Sequence, residues 1–411
     1  MEKIILSRKF RPKKISDVIG QDFAVKTIKN AFESDKLAHA FLLTGIRGVG
    51  KTTIARIIAM GLNCSAFGKP VSDPCNQCNN CKEIIEDRFD EVLELDAASH
   101  TSVDDIREII SYVKYRPTKG NYKVFIIDEV HMLSNSAFNA LLKTIEEPPE
   151  YVKFIFCTTE LNKIPVTILS RCQKFELSRV VRDKIVLNLK KIVDSESLKV
   201  SDEALINIAR FSEGSIRDSI TILEQSVLSS ENDEVSIEDV NRTIGYSGNK
   251  ILLDIYLEIV KGDCKTAIEY LTNSYELGST PEVIINELLH LTYTLLRFQS
   301  TKVSGSMYEE YNKEQIDLVI EKTSVSLLNQ FWQTLLKGRE DMRLAPQDIE
   351  ALEIIVIRLA YSSKLPTIEQ LVYSINDKKD NDLNINIDNN DIGNDIKKIL
   401  NIFPGSKLIN K

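Results

Sequence analysis

The chain has 411 residues, 43% of them hydrophobic and 27% charged, with a net charge of −8 at neutral pH. That length exceeds one ordinary core and predicts two or three domains of a soluble globular protein. The acidic balance argues against a protein that coats nucleic acid on its own. The mixed-charge start Met1–Lys9 excludes a signal peptide, and no apolar run approaches the roughly eighteen residues of a membrane span. Seven cysteines, four of them clustered, suit a reducing cytoplasm where thiols hold metal better than they pair. Residues 1–60 hold twelve Lys and Arg against five Asp and Glu, so the remainder carries about −15 by subtraction. Such a basic start suits phosphate contact within an assembly, and equally an ordinary solvated surface.

In chain order, five short apolar runs read as strands: Phe41–Thr44, Val92–Leu95, Val124–Ile127, Phe154–Cys157 and Lys174–Leu177. Most are continuously hydrophobic, as expected of parallel strands buried on both faces. Helical patterns lie between them at Thr52–Asn63, Val103–Lys114 and Ser136–Glu147, the last stopped by Pro148-Pro149. The alternation predicts an α/β domain over residues 1–178 with an open, mostly parallel sheet. Strand signals then vanish. Residues 179–243 read as a small all-α unit carrying Ile185, Leu189 and Ile192, then Leu205, Ile208 and Phe211, at helical spacing. Residues 244–365 read as a further all-α domain, with long patterns at Val283–Phe298 and Leu327–Leu335. In the tail, 366–411, twelve of the nineteen residues Asn376–Asn394 are Asn or Asp, which predicts a disordered linker. A short apolar cluster, Ile396–Leu408, closes the chain and reads either as a docking element or as a tail of marginal order.

The segment Gly45-Ile46-Arg47-Gly48-Val49-Gly50-Lys51-Thr52 fits the phosphate-cradling pattern G-x-x-x-x-G-K-[ST] without mismatch. Its three glycines let the backbone curl so that N–H groups point inward as an anion nest, and the helix beginning near Lys51 adds its positive end. Lys51 is expected to reach the β- and γ-phosphates, and the Thr52 hydroxyl to coordinate Mg²⁺. Thr53 completes the set of nucleotide contacts. Val124–Ile127 runs into Asp128-Glu129, two carboxylates at a strand tip. Asp128 is placed to share the Mg²⁺ shell, and Glu129 to orient and deprotonate the attacking water. His131, two residues on, reads as a packing or hydrogen-bonding residue.

Cys64, Cys75, Cys78 and Cys81 supply four thiolates within positions 64–81. Four sulfurs with no open position is the pattern of a closed, structural zinc site. Asp73-Pro74, Asn76-Gln77 and Asn79-Asn80 read as loop residues that let the chain fold around the ion. The rival, an iron–sulfur cluster, lacks the Cys-Pro that follows its motif in ferredoxins. Cys157, Cys172 and Cys264 stand apart and read as core or interface thiols.

Taken in order, Arg8-Lys9-Phe10-Arg11-Pro12, Val18-Ile19-Gly20-Gln21, the P-loop, the cysteine cluster, Asp128–Leu133 and Ser170-Arg171-Cys172 closely resemble the gamma/tau family of bacterial DNA polymerase III subunits. These are the AAA+ ATPases of the sliding-clamp loader, and the resemblance covers roughly residues 1–365. It implies an AAA+ domain with a zinc-binding insertion, a helical lid at 179–243 and a helical collar at 244–365. ATP, Mg²⁺ and Zn²⁺ follow as cofactors. Thr158 matches the sensor that feels the γ-phosphate, and Arg171 the arginine finger acting on a neighbour's ATP. Arg217 matches the lid's sensor arginine, and Arg8, Arg11, Val18 and Ile19 would border adenine and ribose. The resemblance implies a cytoplasmic ATPase within a DNA-directed DNA polymerase holoenzyme, loading the sliding clamp onto primed DNA. Its partners would be other clamp-loader subunits in a hetero-oligomeric ring held by 244–365. Contact with the polymerase core and the replicative helicase stays open, because longer family members carry extra C-terminal domains for them. Two other classes are weighed: a P-loop DNA motor of the helicase or branch-migration type, and an ATP-sensing scaffold without productive turnover. The first needs a second motor domain where this chain offers helices; Glu129 and Arg171 speak against the second.

Overall fold

Strands β1 (Ala40–Thr44), β2 (Val92–Asp96), β3 (Lys123–Asp128), β4 (Val152–Thr158) and β5 (Gln173–Glu176) form one sheet in the order β2-β3-β4-β1-β5. Every pairing in it is parallel. The computed structural model describes residues 5–99, 103–230, 233–246, 248–303 and 307–364. The expected tail 366–411 lies outside the described residues. All five expected strands are present, each within two residues of its expected ends. β2 and β5 sit at the edges and are half open to solvent, unlike the fully buried β1 and β4.

Alternation along the central strands divides the core into two layers. Phe41, Leu43, Val124, Ile126, Ile155 and Cys157 face the helices Asp22–Glu33 and Lys51–Asn63. Leu42, Phe125, Ile127, Phe154 and Phe156 face the helices Val103–Val113 and Asn135–Glu146. On that second face Phe125 stacks on Phe154 at 5.3 Å and Phe154 on Phe156 at 5.9 Å. Fully burying one such ring stabilises by about 1.5–3 kcal/mol. The helix Asn135–Glu146 starts with the Ser134 hydroxyl accepting from the Ala137 N–H and ends before the prolines.

Four helices follow: Arg182–Glu196, Asp202–Phe211, Ile216–Ser229 and Ile237–Ile244. Ile185, Leu189, Ile192, Leu205 and Ile208 form their core together with Ile220, Leu223 and Val240. Phe211, expected among them, is only half buried, with the Arg210 guanidinium 5.1 Å from its ring centre. Leu6, Phe10 and Ile19 from the start of the chain pack against the same core. Past β5 no strand occurs among the described residues; Val200 and Val235 form an isolated bridge.

The chain divides into two compact units between Gly245 and Tyr246. Leu6, Phe10 and Ile19 of the N-terminal arm tie the sheet and the four helices after it into the first unit. The only regular elements among the described residues of the second unit are helices, chiefly Asn249–Lys261, Cys264–Glu276, Pro281–Thr301, Lys313–Lys322, Val325–Met342 and Asp348–Lys364. Tyr256 and Phe331 meet edge to face at its centre. Among the described residues no helix is long and apolar enough to cross a membrane.

Candidate functional site

The loop between β1 and the helix Lys51–Asn63 is shaped by glycines that nothing larger can replace. Gly45 has φ +147°, and a Cβ on it would run into the Leu177 carbonyl. Gly48 has φ +78°, and a Cβ there would collide with the Ser215 hydroxyl of the lid. Lys51 opens the helix and is 5% exposed, its ammonium donating to the carbonyls of Gly45 at 2.9 Å and Ile46 at 3.0 Å. Burial lowers its pKa, and Glu129, whose Oε1 stands 4.0 Å away, pulls it back up.

Thr52 Oγ1 donates to Asp128 Oδ2 at 2.6 Å, joining the helix to the tip of β3. A parallel strand alternates its side chains, so Asp128 shares the face of Val124 and Ile126, the face the P-loop helix covers. Glu129 follows in the left-handed region, φ 44° and ψ 45°. For a non-glycine residue that conformation costs about 1–3 kcal/mol and turns the chain off the sheet. Its Oε2 accepts from the N–H of Thr159 at 3.1 Å and from its hydroxyl at 3.0 Å. Oε1 is left on the Lys51 side.

One cleft gathers most of the expected nucleotide residues: Arg8, Arg11, Val18, Ile19, the run from Arg47 to Thr53, Asp128, Glu129 and Arg217. Gly45 and Ile46 sit behind it and hold Lys51. Arg217 reaches the cleft from the lid, and its backbone N–H donates to the Gly48 carbonyl at 3.3 Å. Desolvation, together with Arg56 and Arg217 nearby, lowers the pKa of the Arg11 guanidinium. Cations crowded this way suit a polyanion.

Two expected residues lie elsewhere. Thr158 is fully buried, its hydroxyl bonded to His131 Nδ1 at 3.0 Å and accepting from the Glu160 N–H. The reason is parity: Thr158 follows Phe154 and Phe156 on the sheet face away from the P-loop helix. The hydroxyl beside Glu129 belongs to Thr159. Arg171 is also outside the cleft, half exposed, with Nη1 donating to the Thr167 carbonyl at 2.7 Å and Nη2 2.5 Å from Glu146.

Asp96, Asn188, Ile216 and Ile220 line the cleft without having been expected. Asp96 pairs in register with Asp128 across β2 and β3, a relation visible only once the strand order is known. Ile216 and Ile220 are one helical turn apart, a spacing readable from sequence but shared with many core pairs.

The four cysteines converge, with all four sulfurs within 4.8 Å of one another. Cys64 caps the far end of the helix Lys51–Asn63. Asn79 and Asn80, expected in a loop, open the helix Asn79–Ile85, since Cys78 Sγ accepts from the Cys81 N–H at 3.5 Å and caps it. Asn80 donates to the Asn63 carbonyl at 2.9 Å, closing the end of the P-loop helix. Burial opposes ionisation of Cys78, but hydrogen bonds from Ser65 and the Cys81 N–H outweigh it and bring the thiol down to about 6. Burial raises Cys64 and Cys81. An all-sulfur, clustered and mostly shielded donor set fits a tetrahedral soft-metal site. Between the two ends of that helix, Arg56 grips Glu94 of β2 at 2.6 and 2.9 Å and Asp87 at 2.9 Å. Of the remaining thiols, Cys157 and Cys172 pack into the two sheet cores.

Comparison with known proteins brings three family models onto the chain. The DNA polymerase III delta subunit model matches residues 20–181. The clamp loader subunit ATPase lid domain matches 184–232, and gamma and tau domain III matches 235–375. DNA polymerase III subunit gamma of Buchnera aphidicola (strain Bp) is 37% identical over 358 residues, spanning 86% of this chain and 96% of the relative. The same subunit from Buchnera of Acyrthosiphon pisum is 39% identical, spanning 86% and 98%. The tau subunit of Escherichia coli is 36% identical over 89% of this chain, which spans 56% of that longer protein. Among solved structures, a Thermotoga maritima RuvB superposes with a TM-score of 0.43 at 20% identity, covering 62% of this chain and 79% of that one.

Proposed function

This chain belongs to the gamma/tau family of DNA polymerase III subunits, and from that premise we propose which of its residues carry out the work of a clamp-loader ATPase. ATP lies in the cleft with its phosphates on the N–H groups of residues 45–51 and its base beside Arg8, Arg11, Val18 and Ile19. Lys51 leaves its two carbonyl partners for the β- and γ-phosphates. Thr52 and Asp128, already 2.6 Å apart, hold Mg²⁺, which when bound neutralises phosphate charge. Glu129, anchored through Oε2, presents Oε1 to the water that attacks the γ-phosphate. The Thr159 hydroxyl, rather than that of Thr158, is the one poised at this carboxylate. Arg217 fastens the lid over the phosphates.

Arg171 completes the site of the neighbouring subunit, because its guanidinium lies outside the cleft of its own chain. The four cysteines hold Zn²⁺ as a structural ion. Residues 179–243 act as the lid and 244–365 as the collar that joins clamp-loader subunits in a ring. The cycle they drive opens the sliding clamp and closes it on primed DNA. The observation that carries the reading is the meeting of Lys51, Thr52–Asp128, Glu129 and Arg217 around one cleft. Its test is ATP turnover by the full chain with partner subunits, clamp and primed DNA added one at a time. Turnover should rise with each addition; a rate indifferent to all of them would overturn the proposal.

A further inference from the structure

The His131 side chain is 6% exposed and lies directly behind Glu129. Its Nδ1 is 3.0 Å from Thr158 Oγ1 and 3.4 Å from Glu129 Oε2, and its Nε2 is 3.4 Å from Glu160 Oε1. Thr158 Oγ1 in turn accepts from the Glu160 N–H at 3.0 Å. The ring thus hydrogen-bonds the last residue of β4, and the carboxylates 3.4 Å from it belong to the turns leaving β3 and β4. Glu129 stands where those turns meet, tied to the second also by Thr159. A ring that served packing alone would direct its nitrogens elsewhere; this one spends both on the seam that fixes the carboxylate.

We propose that His131 is a positioning residue for hydrolysis, holding Glu129 Oε2 against the turn after β4 so that Oε1 keeps its aim. The proposal rests on the reading of Glu129 as the group that activates water. Misplacing a reacting group by about 1 Å costs on the order of 10²-fold in rate. His131, Thr158 and Glu160 do not line the cleft.

The test uses the full chain assembled with its clamp-loader partners, measuring kcat for ATP and affinity for a non-hydrolysable ATP analogue. His131→Ala should lower kcat by about 10–100-fold while affinity moves less than about threefold. His131→Gln, which keeps a polar end, should recover part of the loss. Thr158→Val keeps shape while deleting the hydroxyl, so it should slow turnover without unfolding the chain. The double variant should be no slower than His131→Ala within about twofold, because both act through one seam. Full kcat in His131→Ala, affinity lost in step with kcat, or additive losses in the double variant would overturn the proposal. Glu129→Gln separates the two readings. If it turns over normally, the role of Glu129 itself is wrong; if it stops while His131→Ala runs at full rate, only the role of His131 is.

Discussion

The helix Lys51–Asn63 carries a different kind of site at each end, about 20 Å apart at 1.5 Å per residue. At its start, the cleft is assembled from the N-terminal arm, the P-loop, the tip of β3 and the lid. Its groups hold provisional partners: Lys51 bonds carbonyls and Thr52 bonds Asp128, contacts a nucleotide and its metal can replace. At its end, all four thiols come from eighteen consecutive positions, with their sulfurs within 4.8 Å of one another. The cleft is gathered from distant sequence, while the thiol cluster is local. Arg56 braces the rod between them.

Substitutions at the two ends should fail in different ways, and the largest effect belongs to the start. Lys51→Ala should weaken ATP binding more than about 10³-fold, by loss of the cation that meets two phosphates. Equilibrium binding of a fluorescent nucleotide reads this, and full affinity would remove the P-loop assignment. Arg171→Ala should leave binding intact and slow turnover by about 10³-fold in the assembled complex. An equal loss in the isolated chain would place the arginine in its own site.

Cys78→Ser should release one zinc per chain by metal analysis and lower the Tm of the first unit, because binding free energy at such a site is also folding free energy. Nucleotide affinity measured well below that Tm should change less than about threefold. A larger change would mean that the two ends of the helix communicate. Smallest is Glu94→Gln, which weakens a half-exposed pair in the brace by about 0–1 kcal/mol. Were it to affect ATP turnover more than Cys78→Ser does, the brace and not the thiol cluster would be what steadies the P-loop.

Sequence made the P-loop, the strands and the thiols readable because each is written locally: a motif, a run, a spacing. It left the second threonine hidden. Thr158 and Thr159 are adjacent hydroxyls, and which one meets Glu129 depends on where β4 leaves the sheet and on strand parity. Asn79 and Asn80 looked like loop because Asn favours turns, but the sulfur of Cys78 supplies a cap that composition does not announce. Asp96 was invisible for a different reason: its neighbour Asp128 is thirty-two positions away and becomes adjacent only through strand pairing. Arg171 lies outside its own cleft, so nothing in its local spacing marks it, and the family resemblance alone brought it forward.

Gly48 belongs to the phosphate-loop pattern, and it is also the floor on which the lid rests, with Ser215 against it and the Arg217 N–H on its carbonyl. Positions 48 and 215 therefore form a steric pair in which the bulk permitted at one is dictated by the other. The absent side chain at 48 sets how near the lid can come, so it acts as a spacer of zero thickness. Any side chain at 48 would meet both this crowding and the strain of φ +78°, and a smaller residue at 215 would relieve only the first. In the proposed nucleotide site the backbone of this one residue therefore serves both the phosphate cradle and the approach of the lid.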